Sequence, residues 1–366
     1  MFLEYVWMKG ESYDSCVKEE QKTNYVTLST VNNIVNLNYI EMLKMVENTF
    51  RKMEKQNTIV LDLTYFCNSS CNYCRWGNYT TEGRKTLDFE SLLIPKKTLE
   101  VLKTERLVFS GGEPRLHPKF MEILTYYSDL VDEIILITNG YGLDLNEAKS
   151  LINYGLTGFT FSLDSLDPVE EKKNRKTSLN LFEKIIKTIQ SLSDGNREYE
   201  LGINSVITHA NANWNTVKNL LCFADRHSLD FVKFSPVFDD GYVGKNAPDL
   251  MLRVEDSINL REIGKNIPNH HYKYTNGESF WYDIAAIASR ETLNGSSCGL
   301  GLHKANAING VLTMCYWMDR ATYGLLTEIL NSTLVTKVYT SLENDKSNCS
   351  VDFHCFCNQK VRHKWR

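Results

Sequence analysis

Three cysteines lie close together near residue 70, where Cys67, Cys71 and Cys74 form the run Cys-Asn-Ser-Ser-Cys-Asn-Tyr-Cys. Thiolates are soft ligands that suit iron-sulfur sites, and three at this spacing can hold three irons of a four-iron cluster. The fourth iron is then open to a small chelating ligand. A structural zinc site needs a fourth Cys or His, which this loop lacks. A zinc site with a distant ligand, or three reduced core thiols, is the alternative explanation.

The cysteine run follows an apolar, strand-like stretch over 58–66, and polar turns end three further strand-like segments. The turn over 110–114, Ser-Gly-Gly-Glu-Pro, has two glycines that let the backbone approach a ligand because no Cβ is in the way. The clusters over 138–140, Thr-Asn-Gly, and 162–165, Ser-Leu-Asp-Ser, each follow another strand-like run.

In this order the motifs resemble those of the radical S-adenosylmethionine (SAM) superfamily, over about residues 58 to 238. The superfamily signature is Cys-x3-Cys-x-aromatic-Cys, followed by a Gly-Gly-Glu-Pro turn at the end of the second barrel strand. Tyr73 occupies the aromatic position beside the cofactor. The resemblance implies that Cys67, Cys71 and Cys74 ligate a catalytic [4Fe-4S] cluster, and that SAM chelates its open iron through the amino and carboxylate groups.

The resemblance also implies a SAM pocket. Gly111, Gly112 and Glu113 would hold the methionyl amino group. Arg175 resembles a downstream arginine that often pairs with the carboxylate of SAM, although a solvated charge in the run 170–176 explains it equally well. The side chains expected to line the ribose and carboxylate are Thr138, Asn139, Ser162 and Asp164.

Length and composition favour a cytoplasmic enzyme. A chain of 366 residues with 42% hydrophobic residues can bury one large core and a smaller appended domain. A net charge of −4 gives no basic excess, so nucleic acid is a poor candidate partner. Glu4 and Lys9 interrupt the apolar N-terminal residues, and no apolar run reaches transmembrane length. Ten cysteines in a reducing compartment favour metal or redox chemistry over disulfides.

Strand-like runs alternate with amphipathic, helix-like runs, which predicts an α/β fold of parallel strands and right-handed crossovers. Six such units match the partial (β/α)6 TIM-type barrel of the superfamily, with ligand-facing residues at the carboxyl ends of the strands. Strands are predicted near 58–65, 106–110, 133–138, 157–163, 200–207 and 230–236. Helices are predicted near 89–104, 116–129, 145–154, 178–193 and 214–228.

The strand order, together with the resemblance, implies four parts of the chain. Residues 1–57 are a partly helical N-terminal extension, with a helix expected around 39–55. Residues 58–240 are the radical SAM core, residues 241–295 a helical connector, and residues 296–366 a small cysteine-rich domain.

The cysteine-rich part contains Cys298, Cys315, Cys349, Cys355 and Cys357. Asn309-Gly310, between two strand-like runs, predicts a β-hairpin that brings the first two of these cysteines to one end of a ribbon. The pattern resembles the opening of the SPASM/Twitch auxiliary-cluster domain, Cys-x(9–15)-Gly-x4-Cys. Five cysteines, where the full pattern has seven, imply one auxiliary [4Fe-4S] cluster.

The expected auxiliary ligands are Cys298 and Cys315, joined by Cys357 and one of Cys349 and Cys355. The sequence does not say which cysteine is spare, and His354 is a remote candidate ligand. An all-cysteine zinc site uses comparable spacings and is the alternative. Cys16 and Cys222 look unrelated to these sites, and Cys222 lies in an apolar helix pattern that predicts a buried core thiol.

The resemblance implies a reaction as well. One electron from a flavodoxin or ferredoxin reduces the first cluster, SAM is cleaved to methionine and a 5′-deoxyadenosyl radical, and the radical takes a hydrogen atom from the substrate. An auxiliary cluster that accepts the remaining electron makes the net reaction an oxidation. The first hypothesis is a redox modification, such as a cross-link, oxidation or epimerisation, of a ribosomally made peptide. The alternative is dehydrogenation or epimerisation of an amino sugar or related metabolite in natural-product biosynthesis.

Two other classes are weaker. A non-catalytic iron-sulfur or zinc protein needs no SAM pocket, so the turn over 111–114 counts against it, and an RNA-modifying enzyme is third because basic excess is absent. The aromatic residues over 272–282 suit a peptide groove or a helix-packing core equally well. Asp239, Asp240 and Tyr242 follow the sixth strand, either as acid-base groups at the barrel mouth or as turn residues.

Overall fold

The computed structural model describes residues 57–76, 86–96, 99–100, 104–195, 197–237, 242–267, 275–289, 304–308, 311–313 and 322–325. The predicted helix around 39–55, the five C-terminal cysteines, His354 and Cys16 lie outside the described residues. So do Asp239, Asp240, Tyr272 and Tyr274. Predictions for these residues therefore stay predictions.

Six parallel strands form the main sheet and lie side by side in chain order. Each strand pairs in parallel with the next, as right-handed βα crossovers require. This arrangement confirms the predicted α/β fold with a partial (β/α)6 barrel. The strands are β1 (Asn57–Thr64), β2 (Thr104–Gly111), β3 (Glu133–Thr138), β4 (Gly158–Ser162), β5 (Glu200–Ile207) and β6 (Phe231–Pro236).

Helices cover one face of this sheet. The helices are α1 (Phe89–Leu92), α2 (Phe120–Ser128), α3 (Leu145–Asn153), α4 (Pro168–Arg175), α5 (Leu179–Ser193) and α6 (Trp214–Arg226). Side-chain caps fix where the longer ones begin: Asp144 accepts from the Glu147 backbone N–H, and Asn213 accepts from that of Thr216. Alternate strand residues such as Phe109, Phe161 and Phe234 pack against this layer in the main core.

The opposite face of the sheet encloses the barrel interior. Val60, Val108, Ile135 and Ile137 form a small apolar cluster there. Near the amino ends of the strands Arg106, only 3% exposed, bonds Glu133 at 2.5 Å and Glu200 at 3.4 Å. This charged group lies at the end of the barrel opposite the cysteine run.

Two helix predictions need correction. The predicted helix over 89–104 is interrupted: α1 ends at Leu92, residues 93–95 are not helical, and helical structure returns at 96 and 99–100 before strand β2 begins at Thr104. Pro95 accounts for the early end, because proline disfavours helical backbone at the residue before it. Helix α4 was not predicted: its charged sequence hides an Asp167 N-cap followed by Pro168 at the first helical position.

The predicted hairpin at Asn309-Gly310 is present. Strands β7 (Lys304–Ile308) and β8 (Val311–Thr313) pair antiparallel with Ile308 opposite Val311, and β9 (Thr322–Leu325) follows β8. β7 also pairs in parallel with β1, so the hairpin extends the barrel sheet at that edge. The sequence did not predict this pairing.

Between β6 and β7 the described chain contains the helices α7 (Val243–Asn246), α8 (Asp256–Asn266) and α9 (Glu278–Ala288). Phe280 and Trp281 are 3% and 0% exposed in the main core, so these two aromatics serve helix packing instead of an open peptide groove. Tyr242 is partly exposed just before α7. Within the described residues, no helix is long and apolar enough to cross a membrane.

Candidate active site

The cysteine loop begins where β1 ends at Thr64. Cys71 and Cys74 are buried and Cys67 is partly exposed, and the Cys74 backbone N–H donates to the Cys71 carbonyl at 3.1 Å. Tyr65 and Trp76, on either side of the run, stack with ring centroids 4.3 Å apart. The loop therefore closes on itself and directs its three thiols to one side.

Polar groups already surround two of the sulfur atoms. The Ser69 backbone N–H donates to Cys67 Sγ at 3.4 Å, and the Ser69 hydroxyl lies 3.2 Å from Cys71 Sγ. Asn139 Nδ2 donates to Cys67 Sγ at 3.7 Å and to Asn68 Oδ1 at 2.8 Å. Donors placed around sulfur stabilise a thiolate, which is the form that binds iron.

The Gly-Gly turn packs against the start of the cysteine loop. Gly112 N donates to the Thr64 carbonyl at 2.6 Å, and Glu113 N donates to the Phe66 carbonyl at 2.9 Å. A Cβ on Gly112 would lie 2.2 Å from the Phe66 carbonyl oxygen, and Gly111 has φ +116°. Both glycines are thus needed for close backbone contact with β1, in addition to the predicted approach to a ligand.

Glu113, which follows the two glycines, is buried and only 1% exposed. Its two oxygens accept from the Thr138 hydroxyl and the Asn139 backbone N–H, each at 2.8 Å. Arg115, 3.8 Å away, partly offsets its charge and bonds Glu147 at 2.8 Å. Burial raises the pKa of Glu113, although Arg115 and the hydrogen bonds oppose the rise. In this structure Glu113 ties the ends of β2 and β3 together.

A second buried network joins Tyr73, Asp164, Arg175 and Glu171. The Tyr73 hydroxyl donates to Asp164 at 2.6 Å and accepts from Arg175 at 2.9 Å. Arg175 Nε lies 3.4 Å from Glu171, whose other oxygen accepts from the Asp164 and Ser165 backbone N–H groups. Arg175 is 3% exposed, so the solvated-charge explanation for it is wrong.

Burial is the largest electrostatic effect on the buried thiols, and Arg175 opposes it at Cys71. Burial raises the pKa of Cys67 to about 12 and that of Cys71 to about 11, and Arg175 opposes the rise at Cys71. Burial and the neighbouring Asp164 raise the pKa of Glu171 to about 8, again opposed by Arg175. Bound metal deprotonates a coordinating thiol outright, so these raised values describe the metal-free loop.

One cavity of about 410 Å³, counting its open mouth, collects most of the predicted site. Tyr73, Glu113 and Asp164 were also predicted to contact the cofactor, but they lie behind the residues that line this cavity. Its lining includes the predicted residues Cys67, Cys71, Cys74, Gly111, Gly112, Thr138, Asn139, Ser162 and Arg175.

The sequence missed several residues of the site. Ser69, Trp76, Ser110 and Ile137 line the same cavity. Ser69 lies between Cys67 and Cys71 in the sequence, so its position could have predicted that it lies close to the sulfur atoms. Trp76 carried no such signal, because its place depends on stacking against Tyr65. Cys222 is partly exposed on α6 instead of a buried core thiol, since it lies off the packed face of that helix.

Comparison with known proteins gives the family of this region. Residues 61–211 match the model of the radical SAM superfamily, which covers all three cysteines and the Gly-Gly-Glu-Pro turn. The chain carries a radical SAM domain. The superfamily consists of enzymes, so this domain is an enzyme domain.

The chain spans about half the length of the curated relatives that it matches. A GTP 3′,8-cyclase of Haemophilus ducreyi is 30% identical over 164 residues, which are 43% of this chain and 46% of that protein. A GTP 3′,8-cyclase of Haemophilus influenzae is 28% identical over 184 residues, 48% of this chain and 50% of that protein.

Solved radical SAM structures share the fold at low identity. Native anSMEcpe with bound AdoMet superposes with a TM-score of 0.57 at 18% identity, covering 84% of this chain and 91% of that one. Streptococcus suis SuiB bound to its precursor peptide SuiA superposes with a TM-score of 0.60 at 13% identity, covering 95% and 81%.

The residues around the cavity fit the cofactors that the family uses, SAM and a [4Fe-4S] cluster. Three thiols face one cavity, donors lie beside two of them, and the family cluster needs three cysteines. Among the described residues no group of three or more His, Cys, Asp or Glu side chains is arranged to hold a metal ion. That finding concerns ligands gathered around one ion, as in a zinc site. In a four-iron cluster each thiolate binds a separate iron, so the thiols need not converge on one point.

Proposed function

We propose that the chain is a radical SAM enzyme whose [4Fe-4S] cluster is held by Cys67, Cys71 and Cys74. Held there, the cluster and SAM would supply radical chemistry for the removal of a hydrogen atom from the substrate. The observation that carries the proposal is the single cavity lined by the three thiols, the two glycines of the Gly-Gly-Glu-Pro turn and Arg175. A flavodoxin or ferredoxin is the proposed electron donor.

The protein side chains bind and orient the cofactors. Ser69 and Asn139 donate hydrogen bonds toward sulfur, and the Arg175 cation favours the thiolate of Cys71. Thr138, Asn139 and Ser162 offer polar atoms to SAM along the carboxyl ends of β3 and β4. Glu113 keeps Thr138 and Asn139 in place. The apolar cluster below the cavity excludes water, which protects a reactive radical from stray hydrogen donors.

The proposed substrate is a ribosomally made peptide, and the proposed outcome is a cross-link, oxidation or epimerisation. Two fold relatives have been solved with peptides, SuiB with precursor peptide SuiA and anSMEcpe with Cp18Cys peptide, which supports this class. An auxiliary [4Fe-4S] cluster on the C-terminal cysteines is the proposed electron acceptor for a net oxidation. Burial of Phe280 and Trp281 removes one sequence argument for a peptide groove.

A second candidate is modification of a small molecule. The two curated relatives named above are GTP 3′,8-cyclases, so their printed substrate is a nucleotide, and their sequence identity to this chain is higher than that of the peptide-bound structures, over a shorter part of the chain. Amino-sugar or related metabolites are the small-molecule substrates predicted from the sequence.

The test is SAM cleavage by the anaerobically reconstituted chain. Dithionite and SAM are added, and 5′-deoxyadenosine is measured by mass spectrometry in the wild type, Cys67→Ala and Cys222→Ala. We expect product in the wild type and in the Cys222 variant, because Cys222 lies on α6 away from the cavity lining, and none in the Cys67 variant. Cluster-replete wild type that forms no 5′-deoxyadenosine, with or without added GTP, would contradict the proposal.

A further inference from the structure

A row of polar side chains crosses the inner face of the sheet from the cavity to β6. The strand register places Ser162 opposite Asn204, and Asn204 opposite Lys233. Ser162 lines the cavity with the three thiols. The row therefore starts at the candidate active site and leads away from the cysteines.

Strand alternation shows which way these side chains face. Ile203 and Phe234, next to Asn204 and Lys233 in sequence, pack in the main core against the helices. Successive strand residues face opposite sides, so Asn204 and Lys233 face the barrel interior. Val206, on the same face as Asn204, packs with Cys71 and Cys74, which places this face beside the cysteine loop.

On the inner face of β4 and β5, two buried side chains have hydrogen-bonding atoms without partners. Asn204 is 1% exposed, and neither its Oδ1 nor its Nδ2 has a hydrogen-bond partner. Thr160, fully buried on β4 two residues before Ser162, has an unpartnered hydroxyl. Buried amides and hydroxyls nearly always have partners, because their desolvation is otherwise not offset. These atoms are therefore suited to hydrogen bonds with a bound group.

Lys233 adds a positive charge to the row. Its side chain is mostly buried, and burial lowers its pKa to about 8 while nearby Glu200 opposes the fall. Glu200 and Glu133 are both bonded to Arg106, and in the described part of the chain Lys233 itself has no ion pair. A buried ammonium without a bonded anion beside an unpartnered amide is an arrangement that suits an anionic ligand.

We propose, as an extension of the proposed function, that this row binds a carboxylate of the substrate inside the barrel. Lys233 Nζ and Asn204 Nδ2 donate to the carboxylate oxygens, and Thr160 donates or accepts beside them. Asn204 Oδ1 accepts from an N–H or O–H of the same substrate. The carboxylate belongs either to an acidic side chain of a peptide or to a free carboxylic acid. Through Ser162 the row places that group next to the SAM cavity.

The test measures binding of small probes to the reconstituted full chain with SAM and without reductant. N-acetylglutamate amide represents an acidic peptide side chain, glutarate a free acid, and N-acetylglutamine amide is the neutral isostere. We expect the wild type to bind a carboxylate probe at least about tenfold more tightly than the isostere, because a charged hydrogen bond is the stronger kind. The probe that binds more tightly identifies the source of the carboxylate.

Variants then assign the binding to the row. Lys233→Met and Asn204→Leu should each weaken the carboxylate probe by about tenfold or more, whereas Lys233→Arg keeps the charge and should retain most of the binding. Lys184→Met, at an exposed position on α5, is the matched control. If Asn204→Leu does not fold, as judged by circular dichroism and iron content, Asn204→Asp should reverse the preference to the neutral probe.

Three results would overturn the inference. They are no binding of either carboxylate probe to the wild type, equal binding of charged and neutral probes, or a Lys233→Met variant that behaves like Lys184→Met. Binding is measured without SAM cleavage, so these results are independent of the 5′-deoxyadenosine assay. Absence of cleavage would contradict the proposed function, whereas cleavage without carboxylate binding would contradict this inference alone.

Discussion

Gly112→Ala should dislodge the cysteine loop although it changes no side chain that contacts iron. The added Cβ would lie 2.2 Å from the Phe66 carbonyl oxygen, 2.7 Å from the Phe66 carbonyl carbon and 3.0 Å from that of Tyr65. Real Cβ atoms essentially never approach closer than 3.0 Å, so the two backbones must separate by about 0.8 Å. Both sides of the contact are backbone, which cannot move aside as a flexible side chain does.

The separation also stretches the bonds that join the turn to the loop. Gly112 N donates to the Thr64 carbonyl at 2.6 Å, and Glu113 N donates to that of Phe66 at 2.9 Å. Overpacking costs about 1 to 3 kcal/mol, and a weakened buried hydrogen bond adds about 1 kcal/mol. We expect the free energy of unfolding to fall by about 2 to 4 kcal/mol, which for a chain of 366 residues lowers Tm by roughly 3 to 5 °C.

Thermal unfolding and iron content of the reconstituted variant measure both effects. Gly277→Ala is the matched control, because a Cβ at Gly277 meets nothing within 4 Å and its φ is −68°. We expect Gly112→Ala to hold less iron than the control, since Phe66 directly precedes Cys67. A Gly112→Ala protein with the Tm and iron content of Gly277→Ala would refute the argument that this contact positions the loop.

Three further changes test other parts of the structure. Tyr73→Phe removes the hydroxyl shared by Asp164 and Arg175, so the free energy of unfolding should fall by about 1 to 3 kcal/mol, measured in urea against Tyr154→Phe at a 52% exposed position. Binding of N-acetylglutamate amide should weaken as pH rises through about 8, because the pKa of Lys233 is lowered to about 8 and its ammonium loses a proton there. Binding that stays constant from about pH 7 to about pH 9 would contradict this expectation. Iron analysis should find about eight irons per chain in the wild type and about four in Cys67→Ala. The Cys315→Ala variant should still cleave SAM to 5′-deoxyadenosine but should form no modified substrate, as measured by mass spectrometry.

The sequence predicted the βα order well because each strand is a short apolar run ended by a polar turn. The bounds of β3 and β5 match the prediction over 133–138 and 200–207. The failures have local causes. Pro95 interrupts the predicted helix before β2, and the charged composition of α4 concealed a capped helix that is partly buried. Pairing of β7 with β1 depends on contacts across some 240 residues, which no local pattern encodes.

The site was predictable where spacing along the chain mattered and unpredictable where burial did. Cys67, Gly111, Thr138 and Ser162 line the cavity because each follows the carboxyl end of a strand, as the fold requires. Glu113 and Asp164 follow strands as well, yet both turn away to satisfy buried backbone donors. The buried backbone N–H groups of Asn139 and Val206 need acceptors, and no sequence pattern predicts which side chains provide them.

The cofactor cavity and the polar row lie in different halves of the sheet, and the extent of the family match supports this division. Cavity-lining side chains of the sheet come from the ends of β2, β3 and β4, next to the cysteine loop that follows β1, whereas the polar row passes through β5 to β6. The superfamily match spans 61–211, so it contains the cofactor cavity and Asn204 but ends before Lys233. A residue that selects the substrate is expected to differ between enzymes that share one cofactor chemistry. Lys233 lies in that position, at the junction between the shared domain and the part of the chain that the match does not cover.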